Sequence, residues 1–233
     1  MKVLVLGFAI SILGASVAHA AAKAPPLNTL TSAEKAAGWK LLFDGKTTRG
    51  WRGFKQPQIG LGWKVENGVL FDEPKVAKDI ITTEKFANFE LSLDWRIGKG
   101  GNSGVMYHVL EEGDETYESG PEYQLLDNRG RSEPPLEQAG GLFALYAPST
   151  DATHPAGEWN NARIVVDHNK VQHFVNGVKV TEYEIGSPEF KAKVAASKFR
   201  RWPQFATGTT GYIALQNHGD DIAFRNIKIR PLP

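Results

Sequence analysis

The sequence predicts one all-β domain, a β-sandwich of jelly-roll type. Three observations lead there. The segment FELSLDWRIG (89–98) alternates Leu91, Leu93, Trp95 and Ile97 with Glu90, Ser92, Asp94 and Arg96. That period of two is the signature of a half-buried strand. Several further short apolar runs recur, separated by turn residues. No internal repeat or interdomain linker breaks the chain, and 233 residues suit a single domain of this kind.

The elements follow in order. Lys2, the apolar run Val3–Val17 and Ala18-His19-Ala20 have the charge, length and small-x-small ending of a cleaved secretory signal over residues 1–20. Residues 21–37 read as a leader with a short helix, Thr31 and Glu34 having capping-box spacing. The main domain runs over 38–233. WKVENGVL (63–70) folds back at Asn67-Gly68, a hairpin dipeptide. GNSGVMYHVL (101–110) and EYQLLD (122–127) are strands. Residues 162–180 and 212–230 hold more, with turns at Asn169-Lys170 and Asn176-Gly177. Ser187 and Pro188 open a late helix, which Pro203 bars from continuing.

Composition excludes several functions. A formal charge of +1 gives no electrostatic footprint for nucleic acid or an anionic membrane. Cysteine is absent, so disulfides, thiolate metal sites and thiol nucleophiles are excluded. GKGGNSG (98–104) lacks the Gly-Lys-Ser/Thr ending of a phosphate loop. Ser103 is followed by Gly104-Val105, which is not a nucleophile elbow. No paired carboxylates stand at the strand spacing a double-displacement glycosidase uses, because Gln124 occupies the place where Asp is wanted.

The polar faces of the strands carry the functional signal. Strand geometry puts Glu122 and Gln124 on one face and Tyr123 and Leu125 on the other. Asp94 and Arg96 form a second outward set, Gln216 and His218 a third, and His173 stands between Val171 and Val175. Planar, directional groups of this kind suit sugar hydroxyls. The ordinary alternatives are a surface Asp94–Arg96 pair, a framework role for His173 and core positions for Trp51, Trp63, Trp95 and Trp202.

Several blocks then resemble one family. They are GWKLLFDGKTTRGW (38–51), DWRIGKGGNSGVMYHV (94–109), GPEYQLLD (120–127), EWNNARIVVDHNKVQHFVNG (158–177) and AASKFRRWPQFATGTTGYIALQNHGDDIAFRNIKI (195–229). Together they resemble the 3-keto-disaccharide hydrolases, also described as 3-keto-glucoside-1,2-lyases and 3-keto-2-hydroxy-glucal hydratases. The resemblance implies a concanavalin-like jelly-roll β-sandwich, exported to the periplasm or the exterior, that acts on oxidised glycosides. It also implies a sugar 3-oxidoreductase upstream as a pathway partner. A ketone at carbon 3 acidifies the hydrogen on carbon 2 and places the glycosidic oxygen β to the carbonyl. Cleavage can then proceed by elimination, which needs a base, a cation or donors at the enolate oxygen, and an acid for the leaving group. The expected assignment is Glu122 or His218 as base and Arg96 at the enolate. Asn102, Gln124, His173 and Gln216 would hold hydroxyls, with Tyr107 or Trp159 as an aromatic platform. No cofactor is called for; a divalent metal on Glu122 with a histidine stays open. A non-catalytic carbohydrate-binding module and a jelly-roll hydrolase of ordinary glucans are the competing readings.

Overall fold

The computed structural model describes residues 25–233; residues 1–20, which the sequence predicts to be a secretory signal, lie outside the described residues. A helix α1 (Ser32–Ala36) opens them, with Thr31 and Glu34 in a reciprocal capping box. The strands then run β1 (Lys40–Leu41), β2 (Trp51–Gly53), β3 (Trp63–Glu66), β4 (Val69–Asp72), β5 (Ile80–Thr82), β6 (Phe89–Ile97) and β7 (Asn102–Val109). They continue as β8 (Glu122–Leu126), β9 (Asn160–Asp167), β10 (Lys170–Val175) and β11 (Val178–Glu184). Helix α2 (Pro188–Ala196), capped by Ser187, precedes β12 (Tyr212–Leu215) and β13 (Ile222–Pro231).

Two antiparallel sheets form the sandwich. The larger has the order β11-β10-β9-β6-β13-β4-β3, with β1 also on β13; the smaller has the order β2-β5-β12-β7-β8. Asn67 and Gly68, both at positive φ, make the β3–β4 turn, as the sequence predicts. The β9–β10 turn is His168-Asn169, one residue before the predicted pair, because Lys170 already lies opposite Glu184 in the ladder.

The core lies between the sheets. Phe89, Leu91, Leu93, Trp95 and Ile97 supply it from β6, and Tyr123 and Leu125 from β8. The alternation that predicts β6 is therefore the alternation that packs it, at about 25 cal/mol per Å² of apolar surface removed from water. The outward face of the smaller sheet is also buried. Ile81, Met106, Val109 and Ala214 form a second apolar cluster there, covered by Phe54, Tyr117 and Tyr212. A sheet face that points away from the core and is still covered needs chain laid over it, and that cover builds the site.

Candidate active site

Three strands set the floor. Gly104 of β7 lies opposite Gln124 of β8, and Gln216 donates its backbone N–H to the Gly104 carbonyl from the other side. Gln216, Gly104 and Gln124 thus form one row across the outward face of the smaller sheet. In the next row Ala214 stands opposite Met106, and Met106 opposite Glu122. Gly104 has no side chain, so the middle of the first row is a notch. Glu122 leans into it: a Cβ on Gly104 would stand 2.2 Å from Glu122 Oε1. The glycine is there for the side-chain space it leaves, since its φ is ordinary.

Loops wall the notch. The free edge of β8 bonds to residues 140–143, with Gly140 N–H donating to Gln124 O and Phe143 N–H donating to Glu122 O. That contact brings the Phe143 ring over. Thr116 donates its hydroxyl to Asp79 Oδ2 at 2.5 Å, which fixes the turn carrying Tyr117. Asn217 donates its N–H to Asp79 Oδ1 at 3.0 Å. After α2, Ser197 caps a short turn and the buried Phe199 stacks on Phe205 with centroids 3.9 Å apart. This anchor delivers Lys198, whose ammonium stands 4.4 Å from the Phe143 ring centre and 5.3 Å from that of Tyr117.

The polar groups here are under-bonded. Gln124 is anchored by its Nε2–H on Glu137 O at 3.0 Å, which leaves its buried Oε1 with no donor. Gln216 Oε1 and Asn102 Oδ1 are buried without partners as well. The Glu122 carboxyl makes no hydrogen bond among the described residues, although Glu122 is only 6% exposed. An unpaired buried acceptor costs about 1–3 kcal/mol. Three of them, beside the partnerless Glu122 carboxyl, define a surface that waits for hydrogen-bond donors. Burial pushes the Glu122 carboxyl up to about 8; the Lys198 ammonium pulls it down and the Asp79 carboxylate pushes it up. Asp79 is raised to about 6 by burial, against the hydrogen bonds from Thr116 and Asn217.

The structure divides the sequence-derived residues into three groups. Glu122, Gln124, Asn102 and Gln216 share the outward face of the smaller sheet. His218 is exposed on the loop after β12. That loop is tied to the same strands at both ends, by Gln216 N–H on Gly104 O and by Asn102 N–H on Asp220 Oδ2 at 3.0 Å. His218 follows Gln216, at the end of β12, by two residues.

Arg96 and Trp159 do not join them. Arg96 is on β6 of the larger sheet, opposite Ala223, and points outward because its neighbours Trp95 and Ile97 point into the core. Its guanidinium lies 4.9 Å from the Trp159 ring centre, and Arg225 lies 4.0 Å from the same ring. The expectation of an Arg96 charge beside Glu122 fails for a topological reason: the two residues face outward from opposite sheets.

Tyr107 and His173 are interior. Both are 0% exposed, between the sheets. His173 Nδ1 pairs with Gly140 O at 3.1 Å, and Nε2 lies 3.5 Å from the Tyr107 hydroxyl and 3.4 Å from that of Tyr183. Burial lowers His173 to about 4. These two residues brace the sandwich and present no surface to solvent. Trp51, Trp63 and Trp95 are core, as expected, while Trp202 is half-buried and packs edge-on to Tyr117 at 5.5 Å. Among the described residues no three His, Cys, Asp or Glu side chains cluster as metal ligands.

Sequence reasoning missed Asp79 and Lys198. Asp79 precedes a strand of only three residues, too short to show alternation. Lys198 follows helix α2, where a lysine reads as solvated surface. Its one signal is that it falls within the AASKFRRW block of the resemblance.

Comparison with known proteins now bears on the notch. A domain model described as 3-keto-alpha-glucoside-1,2-lyase-like matches residues 38–230. The chain belongs to this family. A 3-keto-disaccharide hydrolase of Bacteroides thetaiotaomicron is 33% identical over 243 aligned residues, covering 90% of this chain and 84% of the relative. A crystal structure assigned as a glycosyl hydrolase, from Parabacteroides distasonis, superposes with a TM-score of 0.83 at 36% identity, covering 89% of this chain and all of that one. A second from the same organism, also so assigned, gives 0.64 at 29% identity, covering 83% and 99%. A carbohydrate-binding module of Bacillus subtilis shares the fold alone, at a TM-score of 0.50 and 10% identity, covering 78% of this chain and 95% of that one. The 3-keto-disaccharide hydrolase family is one of carbohydrate hydrolases, and the jelly-roll sandwich predicted from the sequence is the fold observed.

Proposed function

We propose that this chain cleaves 3-keto-glycosides by base-promoted elimination, hydrates the resulting 3-keto-2-hydroxy-glucal, or does both. Glu122 carries the reading. It is a buried carboxyl with no protein partner, raised to about 8, in a notch whose other open groups are amide oxygens. A base of that strength suits a carbon acid activated by a ketone far better than an ordinary surface carboxylate does. Asp79, the other carboxylate acting on it, has both oxygens engaged by Thr116 and Asn217. One free carboxyl fits elimination, whereas a two-carboxylate glycosidase needs a second.

In this reading Asn102, Gln124 and Gln216 accept hydrogen bonds from sugar hydroxyls. Glu122 takes the proton from carbon 2, and the electron pair moves onto the carbon-3 oxygen. As that charge returns, the bond from carbon 1 to the glycosidic oxygen breaks and the C1=C2 double bond forms. The departing alkoxide takes a proton from the acid, His218, which stands exposed on the loop after β12. Water added at carbon 1 completes the net hydrolysis. The substrate requires a sugar 3-oxidoreductase upstream, and the signal-like residues 1–20 support a periplasmic or secreted enzyme.

One assay tests this. The protein is incubated with a 3-keto-glucoside, its unoxidised parent and a β-glucan, and product release is followed. Cleavage of the keto sugar alone is expected. Binding of the parent with turnover of nothing would make the protein a binding module, and glucan cleavage would make it a conventional hydrolase.

A further inference from the structure

We infer that Lys198 is a catalytic residue of this site, the cation that holds the carbon-3 oxygen of the keto sugar as it becomes an enolate. The inference rests on the elimination reading above and supplies the part that Arg96 cannot.

The charge at Lys198 is uncommitted. No carboxylate among the described residues stands within ion-pair distance of it. Its ammonium is instead bordered by aromatic rings, with Phe143 at 4.4 Å, Tyr117 at 5.3 Å and Phe199 at 5.4 Å. Each ring face attracts the cation without neutralising it. Arg52, elsewhere on this face, is committed by two 2.7 Å bonds to Glu111. Lys198 is also the cation whose field reaches the Glu122 carboxyl. Base and cation thus face one notch, and the lysine is exposed to solvent.

The chemistry requires this pairing. Removing the proton from carbon 2 breaks the C–H bond; the proton goes to Glu122 and the electron pair becomes the C2=C3 bond of the enolate. The carbonyl oxygen gains a full negative charge that the ketone did not have. An ammonium placed there binds the charged species more strongly than the ketone, and only such a difference accelerates the step. A lysine already neutralised by a carboxylate would offer no such difference.

The test separates enolisation from cleavage. The probe is a 3-keto-1,5-anhydrohexitol, which has no leaving group at carbon 1, incubated with the full chain in D2O. Deuterium entering at carbon 2 is read by NMR. The wild type exchanges the hydrogen. Lys198→Met slows exchange by about 10²–10³-fold, the cost of losing one oxyanion partner, and Lys198→Arg restores part of it. The pH limb governed by Glu122 moves upward in Lys198→Met, because the ammonium that lowers that carboxyl is gone while Asp79 still raises it. An unaltered thermal midpoint shows that Lys198→Met folds, as the exposed position predicts. Equal exchange in wild type and Lys198→Met would overturn the role of Lys198 and leave the elimination reading standing. No exchange by wild type on any 3-keto sugar would overturn both. A borohydride-trapped adduct at Lys198 would also overturn it, since the lysine would then act through an imine.

Discussion

Glu122 Oε1 occupies the space above Gly104, 2.2 Å from where any side chain there would begin. The two residues are on neighbouring strands, and the bare backbone of one holds the reactive group of the other.

Gly104→Ala therefore acts on catalysis more than on folding. Glu122 Oε1, Cγ and Cδ all lie within 3.0 Å of that Cβ, so the whole side chain must turn aside, and stability falls by about 1–3 kcal/mol. The displaced carboxyl no longer lies in the notch, and kcat falls about 10²-fold or more, as expected for a misplaced catalytic group. Urea melts and steady-state rates on a 3-keto-glucoside read the two effects separately.

Glu122→Gln removes the base while keeping the shape. Turnover drops by about 10³-fold or more. For wild type, kcat/KM rises with pH through about 8, where Glu122 ionises; the residual activity of the variant lacks that limb. The same group links stability to pH. Its folded value exceeds the ordinary 4.5, so the folded state binds the proton more tightly and loses stability as pH climbs from about 4.5 to 8. Glu122→Gln is then more stable than wild type at pH 9, by roughly 1–3 kcal/mol. Equal midpoints in urea at pH 9 would contradict the buried carboxyl.

The orphan acceptors predict a trade of stability for binding. Gln216→Leu replaces a buried amide whose oxygen has no donor with an apolar side chain of similar size. It is neutral or stabilising by about 1 kcal/mol, while KM for the keto sugar rises about tenfold. A fall in thermal midpoint with unchanged KM would show that the amide serves the fold.

His173 behaves in the opposite way. His173→Ala opens a hole among Tyr107, Tyr123 and Tyr183 and leaves Gly140 O without its ring partner. The cost is about 2–4 kcal/mol, with kcat per folded molecule near wild type. Because burial lowers His173 to about 4, the stability it confers on wild type is present above its unfolded value near 6.5 and is lost as pH falls from there towards 4. The acid limb of a stability–pH curve shows it.

Arg96→Ala is the control for topology. Arg96 is exposed, on the outward face of the larger sheet, and its loss changes kcat/KM less than about twofold. A hundredfold loss would place the reacting centre on the other side of the sandwich.

Local pattern in the sequence determined the longer strands but not the three-residue β2 and β5, and it determined the β3–β4 hairpin, both capped helices and the face on which Glu122 and Gln124 lie, because strand alternation and capping act over a few residues. The family was legible too, from blocks spread along the chain. Which strands became neighbours was not. Arg96 and Glu122 sit on equally plain alternating strands, and only the pairing of β6 with β9 and β13, and of β7 with β8 and β12, sends them to opposite outer faces. Tyr107 points inward by parity, but His173 was misjudged because a histidine between valines reads the same whether its face meets water or a second sheet. Lys198 and Asp79 enter through loops laid over the smaller sheet, where no periodicity exists to announce them. Period and capping are properties of neighbours along the chain; a notch made by an absent side chain, a leaning carboxyl and a distant lysine is a property of neighbours in space.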